Sequence, residues 1–340
     1  MEFEADLSDL GVPRWRGCNG GRFQVPSPVA FGALPVSRYP TDHRFFRYNI
    51  LLPRKLHLVF ECAVILEVMS KTTARVTVPD LMAMKHDGRR ITMITAYDAT
   101  FASIVDEAGV DVILVGDSVG TVMQGVSTTI PVTLDEMEYH VKMVSRAQPR
   151  ALVVADLPFG SYQINPSQAV ESSIRLIKAG ASAVKLEGGV PMFDSIAAIA
   201  RVDIPVMGHI GLTPQSYHRM GGHRVQGRQD GRDAGGRERL FEDAHAVEQA
   251  GAFSVVIEGV PRDLAAAITE KLTIPTIGIG AGPDCNGQVL VLHDLLGLTT
   301  RQLKFTKSFA NLRETSIAAC AQFVSEVRTG SWPDDAHSFH

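Results

Sequence analysis

The sequence predicts a closed (β/α)8 barrel, the TIM-barrel architecture, on three observations. Eight apolar runs of strand length recur between residues 91 and 295. Amphipathic stretches fill most of the gaps between them. Three of those stretches close on Ala-Gly just before the next strand, at 108–109, 179–180 and 250–251, which is the turn of a repeating βα unit. Eight such units in roughly 220 residues match the usual size of that fold.

Taken in order, the strand candidates are ITMITAYD (91–98), VDVILVGDS (110–118), ALVVADLP (151–158), AVKLEGG (183–189), IPVMGHIG (204–211), FSVVIEGV (253–260), IPTIGIGAG (274–282) and QVLVLHDL (288–295). The first seven carry near-continuous aliphatic runs, as strands covered on both faces do. The helices between them begin and end on recognisable residues. DATFASIVDEAG (98–109) closes on Gly109, and PSQAVESSIRLIKAG (166–180) opens on Pro166 and closes on Gly180. ERLFEDAHAVEQAG (238–251) closes on Gly251, and PRDLAAAITEKL (261–272) leads into the seventh strand. A doubly wound open sheet is the alternative. It calls for fewer strands and a Gly-rich turn after the first, where this chain has TAYD. GIGAG (278–282) comes late and runs into PDCNGQ rather than a helix.

Residues 1–68 mix Pro, Arg and aromatics without a period. They read as a non-native or disordered extension, with Met69 as the expected start of a 69–340 barrel domain. The 340 residues are 45% apolar and 21% charged with a formal net charge of −4. That composition suits a soluble globular protein with a full core and gives no reason to expect nucleic acid or an anionic membrane surface as partner. Cys18, Cys62, Cys285 and Cys320 are scattered, which fits a reduced, cytoplasmic setting. The best apolar stretch, 56–68, is too short for a membrane span and is broken by Glu61 and Glu67.

The strands end on charge. Asp98, Asp117, Asp156, Glu187, His209 and Glu258 each lie at or just past the carboxyl end of an apolar run. In a barrel those ends meet on one face, where active sites of this fold sit. Crowded acids repel one another unless a cation compensates, and oxygen ligands from Asp117, Asp156 and Glu187 suit Mg²⁺ better than Zn²⁺. A 2-oxo acid would chelate such an ion through its carboxylate and keto oxygens. Lys185, two residues before Glu187, shares its face of the strand. Its ammonium would neutralise a substrate carboxylate or an enolate, or, in a metal-free aldolase, form a Schiff base. Asp98 leads straight into a helix and reads as its N-cap. His209 is open between a core and a site residue; His140, His245, His293 and Asp294 read as structural. The loop 212–240 is rich in Gly and Arg and reads as a lid or binding arm, with 229–238 a solvated connection.

Six motifs, VGDSVGTVMQG (115–125), ADLPFGSY (155–162), VKLEGG (184–189), GHIGLTPQS (208–216), GGHRVQGR (221–228) and IGIGAG (277–282), together resemble the ketopantoate hydroxymethyltransferase family. The resemblance runs from about residue 75 to the C-terminus. It implies a (β/α)8 barrel assembled as a decamer, and transfer of the one-carbon unit of 5,10-methylenetetrahydrofolate to 3-methyl-2-oxobutanoate, giving 2-dehydropantoate on the way to pantothenate. It implies Mg²⁺ held by Asp117, Asp156 and Glu187. Ser118, Asp156 and Lys185 match groups that hold the oxo acid, and Asp117 and His209 match residues of the same substrate site. Glu258 matches the general base. The stretch 229–238 is longer than the family pattern, and Gly259 stands where another small residue is expected.

Two rivals remain. A Mg²⁺-dependent 2-oxo acid lyase or mutase of the isocitrate lyase type would carry a Lys/Arg-Cys-Gly-His gating loop, and Cys285 (PDCNG) and Cys320 (AACAQ) lie in no such stretch. A non-catalytic barrel binding a small anion would have no need for Asp117, Asp156, Glu187 and Glu258 together.

Overall fold

Short apolar runs, too hydrophobic to face water on either side, are satisfied here by closing a sheet on itself. A computed structural model describes residues 74–228, 236–300 and 303–340. The extension 1–68 and Met69 lie outside the described residues, as does most of the connection 229–238. The eight strands are β1 (Ile91–Thr95), β2 (Val112–Val115), β3 (Leu152–Asp156), β4 (Ala183–Lys185), β5 (Val206–Gly211), β6 (Ser254–Glu258), β7 (Thr276–Ile279) and β8 (Gly287–Leu290). They pair in parallel and in sequence order, and β8 closes on β1 through Ile91–Gly287 to Ile94–Leu290.

The helices are α1 (Val78–His86), α2 (Ala99–Glu107), α3 (Val119–Val122), α4 (Leu134–Arg146), α5 (Pro166–Ala179), α6 (Phe193–Ala200), α7 (Tyr217–Met220), α8 (Gly236–Gln249), α9 (Arg262–Lys271), α10 (Leu292–Leu295) and α11 (Leu312–Thr329). The expected eighth strand stops at Leu290, and its last residues, Leu292–Leu295, turn into α10. An apolar run of that length does not by itself separate a strand from a helical turn. The solvated connection is also shorter than expected, because α8 begins at Gly236 and takes Glu238 into its first turn.

Two apolar layers follow from the alternation of side chains along each strand. Outward residues such as Ile113, Val153, Val184 and Ile257 pack under the helices. Inward residues, among them Ile91, Met93, Val112, Leu152, Met207 and Val289, fill the lower barrel. Leu81 of α1 is fully buried in that inner cluster, so α1 closes the floor. The Lys85 ammonium, also on α1, donates to the carbonyls of Thr269 (3.3 Å), Leu272 (2.8 Å) and Ile274 (2.8 Å), capping the end of α9. Beside them, Glu248 accepts from the Thr273 N–H (2.6 Å), the Thr273 hydroxyl (2.8 Å) and the Ile274 N–H (3.3 Å).

α11 differs from the other long helices in burying no residue. It leaves Ile317, Phe323, Val324 and Val327 each at least 41% exposed. Among the described residues, no helix is long and apolar enough to cross a membrane.

Candidate active site

Each apolar strand lifts the residue at its carboxyl end out of the packed interior and onto the rim. Asp156 is the last residue of β3 and Lys185 the last of β4, and the two are paired in register. Asp117 and Ser118 follow β2, and Glu187 follows β4. His209 lies within β5, and Glu258 ends β6. Gly116 makes room for this turn. A side chain there would begin 2.9 Å from Ser118 Oγ and 3.4 Å from Asp156 Oδ2.

Contacts link these groups into one chain. The Asp117 N–H donates to Asp156 Oδ2 (3.0 Å), and Lys185 Nζ stands 2.8 Å from Asp156 Oδ1. Lys185 Nζ is 3.3 Å from His209 Nδ1, which is 3.4 Å from Glu187 Oε1. On its other side, His209 Nε2 lies 3.2 Å from Glu258 Oε2. All are buried except Glu258, whose side chain is 16% exposed.

Three polar residues that the strand-end reading did not single out complete the site. Gln215, on the loop after β5, donates from Nε2 to Asp117 Oδ2 (2.9 Å) and to the Leu157 carbonyl (3.0 Å). Its backbone N–H donates to Glu187 Oε2 (2.9 Å). The Tyr162 hydroxyl accepts from the Glu187 N–H (3.1 Å) and meets Gln215 Oε1 at 2.8 Å. The Tyr97 hydroxyl lies 2.8 Å from Ser118 Oγ. Tyr162, Gln215 and Ser118 all fall inside the quoted motifs, but uncharged polar residues at strand ends have the same sequence signature as turn and cap residues.

The residues expected to be structural make contacts away from this chain of charges. Asp98 caps α2 by accepting from the Phe101 N–H at 2.9 Å. His140 bonds the Tyr97 carbonyl, His293 packs on the Tyr97 ring, and Asp294 accepts from the Thr299 hydroxyl. His245 stands on the surface of α8, 3.9 Å from Glu248.

Burial sets the electrostatics. It drives the Asp117 carboxyl well above the usual range, and the neighbouring Asp156 and Glu187 charges push the same way. Burial works against a charged Lys185, but Asp156, Glu187 and Asp117 outweigh it and keep the ammonium. His209 is opposed by burial and by Lys185. Its contacts with Glu187 and Glu258 prevail and raise its pKa to about 9. Tyr97 and Tyr162 are pushed upward by burial and stay protonated.

Among the described residues, the four carboxylates Asp117, Asp156, Glu187 and Glu258 thus have Lys185 and His209 as their close basic neighbours. The excess negative charge and the all-oxygen donors suit a hard divalent cation. Asp156 Oδ1 and His209 Nε2 are buried and lack a hydrogen bond of proper geometry despite their close ionic neighbours, so they retain bonding capacity for a ligand. The three expected ligands do not already form a cage: among the described residues, no three His, Cys, Asp or Glu side chains are arranged to hold a metal ion. Asp117 and Glu187 each engage Gln215 through one carboxylate oxygen, and Asp156 engages Lys185. A cavity of about 330 Å³ opens beside Glu187 and Gln215, with Arg219, Arg239 and Asp243 among its walls.

A family model described as ketopantoate hydroxymethyltransferase matches residues 75–335. A 3-methyl-2-oxobutanoate hydroxymethyltransferase of Pelobacter propionicus is 55% identical over 274 residues, 80% of this chain and 100% of the relative. Those of Desulforapulum autotrophicum and Moorella thermoacetica are 57% and 56% identical, each over 78% of this chain and 98% of the relative. Among solved structures, a phosphonopyruvate hydrolase complexed with oxalate and Mg²⁺ superposes with a TM-score of 0.52 at 14% identity, covering 76% of this chain and 92% of that one. A 2,3-dimethylmalate lyase of the PEP mutase/isocitrate lyase superfamily gives 0.51 at 17% identity, covering 78% and 89%. At those identities the likeness speaks for the fold alone.

Proposed function

Because this chain belongs to the ketopantoate hydroxymethyltransferase family, we infer how its rim performs the family's reaction. The activity is hydroxymethyl transfer to 3-methyl-2-oxobutanoate in pantothenate synthesis. One observation carries the assignment of residues: Asp117, Asp156, Lys185, Glu187, His209 and Glu258, spread over more than 140 positions, are linked by contacts of 3.4 Å or less.

Asp117, Asp156 and Glu187 would hold Mg²⁺. When bound, the ion polarises the keto group of the oxo acid and makes its C3–H more acidic. Ser118, held by Tyr97, and Lys185 bind and orient the oxo acid, with Asp117, Asp156 and His209 forming the rest of its pocket. Glu258, the least buried of the six, removes the C3 proton, and His209 fixes the direction of its carboxylate. Lys185 stands by to offset the negative charge of the enolate. The methylene carbon of 5,10-methylenetetrahydrofolate is bonded to two nitrogens. One bond opens to an iminium, and water adds to that carbon and supplies the oxygen. The second carbon–nitrogen bond then breaks as both nitrogens end protonated in tetrahydrofolate. The enolate carbon bonds to the formaldehyde carbon so released, whose oxygen takes up a proton and becomes the hydroxyl. The cavity beside Glu187 and Gln215 gives the larger cosubstrate its approach.

Two further readings rest on the chain's surface. The uncovered apolar stripe of α11 supports a homo-oligomer, for which the family resemblance implies a decamer. The free Cys285 and Cys320 support a cytoplasmic setting.

Proton NMR of 3-methyl-2-oxobutanoate in D₂O, without folate, tests the mechanism. Mg²⁺-dependent loss of the C3 proton signal is expected with the wild type and not with Glu258→Gln. Equal loss in the variant would remove Glu258 as the base.

A further inference from the structure

We propose that Gln215 is a positioning residue whose amide and backbone N–H hold Asp117 and Glu187 in the orientation that receives a divalent cation. The inference rests on the metal reading above and is carried by hydrogen-bond geometry.

A glutamine amide offers two N–H donors and one oxygen acceptor with two lone pairs. In Gln215 all are used. Nε2 donates to Asp117 Oδ2 (2.9 Å) and the Leu157 carbonyl (3.0 Å). Oε1 faces the Tyr162 hydroxyl (2.8 Å) and accepts from Gln163 Nε2 (3.0 Å). The neighbours also fix which end is which. A flipped amide would set its oxygen against a carboxylate and a carbonyl, and its nitrogen against the Gln163 donor. Tyr162 agrees with this choice: its hydroxyl accepts from the Glu187 N–H (3.1 Å), and its one proton faces two acceptors, Gln215 Oε1 (2.8 Å) and the Glu187 carbonyl (3.0 Å).

The placement is unusual for a residue serving only its own loop. Asp117 follows β2 and Glu187 follows β4, with β3 between them. Gln215 reaches both, one through its side chain and the other through its backbone N–H at 2.9 Å. By occupying Oδ2 of Asp117 and Oε2 of Glu187, it leaves the other oxygen of each carboxylate for other partners. Groups that hold metal-ligating carboxylates by hydrogen bonds typically change metal affinity about 10–100-fold when removed.

Mn²⁺ titration followed by electron paramagnetic resonance tests this on the full chain, with thermal melting as the check on folding. Gln215→Met keeps the volume and loses the amide. Tyr162→Phe keeps the ring and loses the hydroxyl that orients the amide. The expected result is Mn²⁺ binding weakened at least about tenfold in Gln215→Met, with a smaller loss in the same direction in Tyr162→Phe. Raising Mg²⁺ should restore C3 proton exchange in Gln215→Met, which a purely structural defect would not allow. Mn²⁺ affinity within twofold of wild type in folded Gln215→Met overturns the inference. If that variant does not fold, unchanged affinity in Tyr162→Phe overturns it. A wild type that binds no Mn²⁺ overturns the metal reading and this inference together, whereas binding that is equal in all three proteins overturns only the role of Gln215.

Discussion

Lys185 Nζ and Asp156 Oδ1 stand 2.8 Å apart, with each side chain only 5% exposed. A pair so buried gains little net stability from its own attraction, but losing one partner strands the other. Lys185→Met should therefore lower unfolding free energy by about 3–5 kcal/mol. Turnover should be lost as well, because the same ammonium is assigned to the oxo acid. Denaturant unfolding beside the exchange assay separates the two effects; a fully stable Lys185→Met would contradict the pairing.

If Ser118 holds the oxo acid as proposed, Tyr97 would act on it through the 2.8 Å contact between their hydroxyls. Tyr97→Phe should cost about 0.5–1.5 kcal/mol of stability, the worth of one hydrogen bond. Its main effect should be a raised KM for 3-methyl-2-oxobutanoate with kcat little changed. Steady-state kinetics decides. A fall confined to kcat would place Tyr97 in the chemical step instead.

Glu248 gives a pH dependence far from the rim. Burial alone would raise its pKa, but three donors from Thr273 and Ile274 outweigh burial and hold it below 4.5. A folded-state pKa below the unfolded value gives stability that is fully present above the unfolded pKa and is lost as pH falls through the folded one. Glu248→Gln should thus be less stable than wild type at pH 7 by about 1 kcal/mol. The difference should shrink steadily below about pH 4.5. Unfolding curves across pH 3–7 would show it, and a gap that stayed constant would contradict the assignment.

The apolar stripe of α11 invites a test of assembly. Ile317, Val324 and Val327 recur at helical spacing and are 56%, 41% and 46% exposed. Ile317→Asp combined with Val324→Asp should yield a smaller species by light scattering while the far-ultraviolet signal of the barrel persists. An unchanged mass would show that α11 lies outside the contacts between copies.

Much of this was legible in advance, and the parts that were not have physical causes. The first seven strands announce themselves because a parallel barrel covers both faces, which keeps its strands largely apolar, whereas β8, with Gln288 exposed, gives a weaker signal. Their ends were read too long. AVKLEGG suggested a strand to residue 189, whereas the ladder of β4 stops at Lys185 and Glu187 rides on the loop beyond. Apolar and rim residues continue past the last paired position, and composition cannot see pairing. α4 carries a start signal in the sequence, since Thr133 and Glu136 form a capping box visible as T-x-x-E. The charged rim residues stood out because a carboxylate at the end of an apolar run is costly without a purpose. Gln215, Tyr162 and Tyr97 did not stand out, since each is neutral and its role exists only in what it touches.

The floor of the barrel imposes a direction of traffic. Among the described residues, Leu81 and the inner apolar layer close one end of the barrel, which leaves the carboxyl-end rim as the open side. In the assignment proposed above, the oxo acid would sit low in that opening, against Lys185 and Asp156, and the bulkier folate would approach from above it. The small acid would therefore enter first, and its product would wait until the spent carrier has gone. Initial-rate patterns should be those of an ordered sequence, with tetrahydrofolate released first and the lengthened acid last.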